Sequence, residues 1–236
     1  MKLKYFILLC VLFIGVILNS GCIEEETSLN CVNFDEFKGN VSDDYYKIYL
    51  TARQFIPPEG IECSLLNKLD SYKNNKIHII IQFQDTPKQS ERSELTDYNL
   101  SLDDYIHNKA YFASVPANKD DIEKIVNLSF VRWIGDILSE DKISKYTREG
   151  QIDEWAINEN GTINLIVWFF RDVSLDDAEQ IIKNHEGIVN DRIKSINALV
   201  VAISQDAMTE MVNEDCVQFI EQVPPSPINE HYIDLG

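Results

Sequence analysis

Three pairs of adjacent carboxylates, Asp103-Asp104, Asp120-Asp121 and Asp176-Asp177, are the first residues whose spacing could do chemistry, because neighbouring acids can divide proton donation and acceptance between them. All three fall at expected helix starts or in a turn, where a solvated carboxylate is favoured by the helix dipole, so we read them as structural. The four histidines, His78, His107, His185 and His231, stand apart from one another and from cysteine, which leaves little material for a metal site. His185 precedes Glu186-Gly187 and reads as a helix C-terminal residue. Gly-x-Ser-x-Gly, His-Glu-x-x-His, phosphate-loop and Cys-x-x-Cys patterns do not occur. The run Trp168-Phe169-Phe170 could form a binding platform, but alternation within an apolar strand assigns it to core plus one exposed face. We expect no catalytic residue, no metal and no cofactor, hence no enzyme.

The N-terminus bears on the compartment. Lys2 and Lys4 precede an unbroken apolar run from Tyr5 to Leu18, and Asn19-Ser20-Gly21-Cys22 follows. This is a secretory signal architecture, too short to span a membrane as a mature helix. It resembles prokaryotic lipoprotein signals, which implies lipid on Cys22 and an anchored, extracytoplasmic chain; ordinary cleavage nearby, or an uncleaved anchor, gives the same topology. Glu24, Glu25 and Glu26 suit a solvated tether. Three cysteines remain after Cys22: Cys31, Cys63 and Cys216. Cys31 and Cys63 flank one N-terminal segment and are the expected disulfide in an oxidising compartment, worth roughly 3 kcal/mol; Cys216, in an apolar strand context, reads as a buried thiol. Four sequons, at Asn40, Asn99, Asn127 and Asn160, carry little weight, since such triplets arise often by chance.

An internal repeat organises the rest. Ile77–Phe83 matches Ile163–Phe169 at an offset of 86, Lys109–Val115 matches Asn197–Ile203 at 88, and Val131–Ile134 matches Val217–Ile220 at 86. Both Ile77–Phe83 and Ile163–Phe169 read as buried strands. Between the strands the period becomes helical. Ser174 is an N-cap before Leu175, Ala178, Ile181 and Ile182, and Gly187 ends that helix. Its counterpart over 86–98 has only Leu95 and Tyr98 as anchors. The second helices follow Asn118 and Ser204, and 102–106 and 188–193 supply one more strand per copy, joined onward by turns at Asn108 and Ser195. Each copy thus reads strand, helix, strand, strand, helix, strand. The expected class is α+β, two tandem ferredoxin-like (βαββαβ) sandwiches with antiparallel sheets and helices on one face. The other face must be solvated, covered by the sister copy, or used on a partner.

The expected organisation is a signal at 1–21, a tether and lead-in at 22–75, a first unit at 76–137, a linker at 138–161 pinned by Trp155, a second unit at 162–223 and an extended tail at 224–236. Tyr49-Leu-Thr-Ala-Arg-Gln-Phe-Ile-Pro-Pro-Glu-Gly60 resembles the lead-in of propeptides on some prokaryotic subtilisin-like serine proteases. Tyr105-Ile106 through Ala110-Tyr111, Val131–Gly135, Val217–Glu221 and the exit Val223-Pro224-Pro225 resemble their inhibitor-type domains, so the resemblance covers roughly 45–232. It implies an intramolecular chaperone and temporary inhibitor whose sheet face docks on the protease while the tail lies in its cleft. Carried over by position, the docking residues are Glu221, Gln222, Val223, Pro224, Pro225, Ser226, Pro227, Ile228, Asn229, Glu230, His231 and Tyr232. The plainer reading of Pro224-Pro225-Ser226-Pro227 is a stiff exit from the last strand.

A protease of that kind would continue past 236 with a catalytic domain. Three readings follow: a free-standing propeptide-like inhibitor or chaperone, an orphan remnant of a protease precursor, or a chain cut at the domain boundary. From a different class come a cell-surface binding or adhesion lipoprotein using the same sheet faces, and a small-molecule sensor binding between the repeats. The 39 acidic and 21 basic side chains give a formal charge of −18, which becomes −20 once the signal takes Lys2 and Lys4 with it. A basic nucleic-acid footprint is excluded, and the excess acid serves mostly solubility.

Overall fold

The computed structural model describes residues 31–33, 44–72 and 75–225. Among these residues twelve strands and six α-helices make a mixed α+β arrangement: β1 Cys31–Val32, β2 Ile48–Tyr49, β3 Gln54–Phe55, β4 Gly60–Glu62, α1 Cys63–Ser71, β5 Lys76–Phe83, α2 Gln89–Asp97, β6 Ser101–Ile106, β7 Ala110–Pro116, α3 Lys119–Val126, β8 Val131–Asp136, α4 Lys145–Arg148, β9 Ile163–Phe169, α5 Leu175–Asn184, β10 Ile188–Ile193, β11 Ala198–Ile203, α6 Gln205–Met211 and β12 Val217–Gln222. Side chains fix the helix starts. The Asn118 carboxamide accepts from the Asp120 and Asp121 N–H groups, Ser174 Oγ from Asp177 N–H and Ser204 Oγ from Ala207 N–H, with acids in each first turn facing the positive end of the dipole. In α2 the Glu91 carboxylate reaches back to the Lys88 N–H at 2.7 Å, and Leu95 is its buried anchor.

Two main sheets carry the strands. One is six-stranded, in the order β1-β4-β8-β5-β7-β6; the other is four-stranded, β10-β11-β9-β12. The expected antiparallel pattern holds throughout the second sheet and from β8 to β6 in the first. It fails beyond β8, where β4 and β1 add two parallel strands. The cause lies in the lead-in. Cys31 and Cys63 are joined by a disulfide with Cα atoms 4.9 Å apart, which ties β1 to the end of β4. Ile61, Leu65, Leu66 and Leu69 then bury into the same core as Ile79, Ile81, Ile122 and Ile134. Residues read from sequence as a lead-in are therefore part of the first sheet's layer.

The two sheets differ most in their second faces. In β5 every residue from Ile77 to Phe83 is buried: Ile77, Ile79, Ile81 and Phe83 face the helices, while Ile80 faces the other way into a cluster with Ile48, Ile106, Ala110, Trp133, Ile137 and Phe170. Ile48 comes from the β2–β3 hairpin and Phe170 from the loop after β9, so the face is sealed by two distant stretches of chain. The hairpin is clipped by a two-pronged ion pair, Arg53 Nε and Nη2 to the two Asp141 oxygens at 2.8 Å each. In β9 burial alternates instead: Ile163, Leu165, Val167 and Phe169 face inward, while Asn164, Ile166 and Trp168 are half-exposed. The expectation that both strands are buried thus holds in full for β5 alone, because among the described residues the first sheet is covered on both sides and the second on one.

Gly135 shows how tight that cover is. It lies opposite Ile80 and beneath the Trp133 indole, and a Cβ there would meet the ring and Glu62 Oε2. Gly135→Ala is expected to cost about 1–3 kcal/mol through overpacking, read as a lower midpoint at unchanged slope in chemical denaturation.

Candidate functional site

The second sheet carries an apolar surface on the side away from α5 and α6. Cross-strand register puts Ile166 between Val200 and Glu221, and Trp168 between Ala198 and Phe219. On β10, Ile188 and Ile193 pair with Ala202 and Ala198 and share the face. Ile166, Trp168, Val200 and Phe219 are half-exposed and Ile188 is 59% exposed. The Trp168 and Phe219 rings lie 5.9 Å apart, centroid to centroid, forming its aromatic end. Partial burial pushes the Glu221 carboxyl up from its ordinary value.

Beyond Trp168 and Phe219 the face runs into a cleft of about 780 Å³, whose far wall includes Tyr49, Tyr105 and His107. One end is polar. Arg171 pairs with Asp103 at 3.2 Å and also with Asp104, and Gln218 Nε2 donates to Asp104 Oδ2 at 3.1 Å. Burial raises the Asp103 carboxyl, opposed by the N–H of Arg171 and reinforced by the Asp104 charge. These two acids, read as solvated carboxylates at a helix start or turn, also fall inside the strand expected over 102–106. They lie within β6 at a bulge between Leu102 and Tyr105, and the second unit's Arg171 neutralises them.

The tail root is less open than its sequence suggests. Glu221 and Gln222 end β12, an edge strand whose Ile220 bridges in parallel to Ile143 of the linker. Gln222 Oε1 accepts from Asp153 N–H at 2.8 Å, and its Nε2 donates to Gln151 O at 2.8 Å and Thr147 Oγ1 at 3.2 Å. Trp155 Nε1 donates to Val223 O at 3.1 Å, and Val223 N–H to Asn164 O. Trp155 was expected to pin the linker by packing. It is 54% exposed and contributes this hydrogen bond, while Ile143 and Ala156 supply the buried apolar anchors. Pro224 and Pro225 follow as exposed chain outside any helix or strand; Ser226, Pro227, Ile228, Asn229, Glu230, His231 and Tyr232, like Cys22, lie outside the described residues.

A family model described as Domain of unknown function (DUF8729) matches residues 49–138. The matched stretch begins at the second residue of β2 and ends two residues past β8, so it takes in most of the hairpin and all of the first sheet except β1. No curated protein and no solved structure matches the chain.

Among the described residues no group of three or more His, Cys, Asp or Glu side chains is placed to hold a metal. His185 caps α5 and faces Glu214 at 2.8 Å. His107 packs edge-on against Tyr49. His78, which nothing in the sequence singles out, is buried between Asp172 and Asp215; those carboxylates lie 94 and 137 residues further along the chain, beyond any local pattern. Cys216 is half-buried, and burial, with the Glu214 charge adding to it, pushes its thiol up to about 12. A thiol reagent at pH 8 is accordingly expected to label Cys216 only as the chain unfolds.

Ile80 and Ile166 occupy equivalent positions of the two copies, one covered and one half-exposed. Ile80→Ser is expected to cost at least about 3 kcal/mol and Ile166→Ser less than about 1, both by equilibrium unfolding.

Proposed function

We propose that the chain is a lipid-anchored, extracytoplasmic, non-catalytic protein built of two ferredoxin-like units, which binds a subtilisin-like serine protease and inhibits it or assists its folding. The ferredoxin-like reading is supported by strand order. In chain order within each unit the strands lie fourth, first, third, second, as β8-β5-β7-β6 and β12-β9-β11-β10. The observation that carries the function is the asymmetry of the two second faces. The first is sealed by the chain's own hairpin and Phe170; the second presents Ile166, Trp168, Val200 and Phe219, with the tail leaving from its edge. A sheet face of that size and chemistry suits the back of a globular partner, and an extended tail can pair with cleft edges by strand addition.

The docking surface is therefore assigned to the second unit alone. Purified residues 22–236 are expected to inhibit at least one subtilisin-like protease at micromolar concentration or to raise its refolding yield. Phe219→Asp should weaken that effect tenfold or more, and removal of 224–236 should abolish inhibition. Absence of both effects across several such proteases would sink the reading. The engagement of Gln222 and Val223 by the linker favours a second reading, a surface-binding lipoprotein that uses the face without the tail. In that case truncation at 224 leaves binding intact while Phe219→Asp removes it.

A further inference from the structure

We infer that His78 is a pH-dependent latch between the two units, closed while its imidazole carries both protons. His78 sits on β5 of the first sheet, 5% exposed, its ring stacked on Phe170 at 4.0 Å between centroids. Nδ1 lies 2.6 Å from Asp215 Oδ2 and Nε2 lies 2.9 Å from Asp172 Oδ1. The backbone N–H of His78 also donates to Asp215 Oδ2, at 3.0 Å. Asp172 belongs to the loop after β9 and Asp215 to the loop before β12. One side chain of the first unit thus holds two loops of the second.

The chemistry follows from what each group can donate. An ionised carboxylate only accepts hydrogen bonds, and a neutral imidazole has a single N–H. With two carboxylates facing the ring, only the imidazolium satisfies both; the neutral ring leaves a lone pair against a negative oxygen.

The surrounding charges set the pH window. Lys76 on β5 reaches Asp172 at 2.9 Å; Lys68 on α1 reaches Asp136 of β8 at 2.8 Å and Asp215 at 3.5 Å; Ser114 of β7 lies across the strand pair from His78. Lys142 Nζ donates to the carbonyls of Glu214 and Asp215. Burial, the largest single influence, works to raise both Asp172 and Asp215, but the hydrogen bond and charge of His78, added to Lys76 at the first and to Lys68 and Lys142 at the second, together outweigh it, so both carboxyls lie below their ordinary value. They stay ionised through mild acid. The closed state, which needs the imidazolium between two ionised carboxylates, is therefore lost at the acid end only once pH falls through the depressed carboxyl values. Lys142 is the other group that titrates nearby. Burial, its largest cause, lowers it to about 8, so its own deprotonation loosens the same 214–215 loop at higher pH.

Hydrogen exchange on the whole chain from pH 5.5 to 8.5, corrected for the intrinsic rate, tests the latch. Protection of 170–173 and 213–216 is expected to fall at least tenfold across that range, and His78→Gln should abolish the dependence. A dependence that persists in His78→Gln and disappears in Lys142→Met, or its absence from the wild-type chain, would overturn the proposal. Nitrogen-15 spectra of the wild-type imidazole decide the matter even if His78→Gln does not fold: at pH 5.5 both ring nitrogens should carry a proton, and a single protonated nitrogen refutes the latch.

Discussion

Burial of the second face of the first sheet is the constraint from which the rest of the molecule follows. A sheet with helices on one side presents an apolar underside, and the side chains there, Ile80, Ala110 and Trp133 among them, would forfeit roughly 1.5–3 kcal/mol for each large residue left in water. The cover comes from two places. Ile48, with Leu50 and Phe55 beside it, closes one part from the β2–β3 hairpin, and Phe170 closes another from the loop after β9. The second contribution means that the first unit completes its core with a residue of the second. The contact between units is thus part of the packing of the first sheet.

Polar groups reinforce that apolar contact, from the buried His78 cluster to the largely exposed Arg171. The Arg53–Asp141 pair holds the hairpin to the segment after β8, the His78 cluster fixes the loop that carries Phe170 and the loop before β12, and Arg171 spans to Asp103 and Asp104 on the far side. Each is a charge-assisted contact made by residues distant in sequence. Breaking one partner of a buried set leaves the other uncompensated, so such clusters favour a single arrangement of the units over many loose ones. The same arrangement bounds the cleft beside Trp168 and Phe219, whose walls come from both units.

The second sheet lacks that cover among the described residues, although its chemistry nearly repeats the first. Ile166 stands where the first copy has Ile80, Phe219 where it has Trp133, and Val200 where it has Phe112. These are residues suited to a covered face, and they are left half-exposed. That half-exposed apolar face on an otherwise acidic chain is the surface on which the proposed docking rests.

Much of the α+β layout was legible in the chain. The 86-residue repeat, the caps Asn118, Ser174 and Ser204, and the change from period two to period 3.6 are local signals, because caps satisfy the first turn and alternation is set by one strand's own geometry. What the sequence could not convey was which underside is sealed. Ile77–Phe83 and Ile163–Phe169 look alike as strings, and their difference arises from a hairpin some thirty residues upstream of one and nothing equivalent among the described residues near the other. Likewise the parallel strands β4 and β1 and the clasp of His78 by Asp172 and Asp215 depend on contacts across tens of residues or more. Local propensity determines which elements form; only the closing of the chain on itself decides which of their faces remain for a partner.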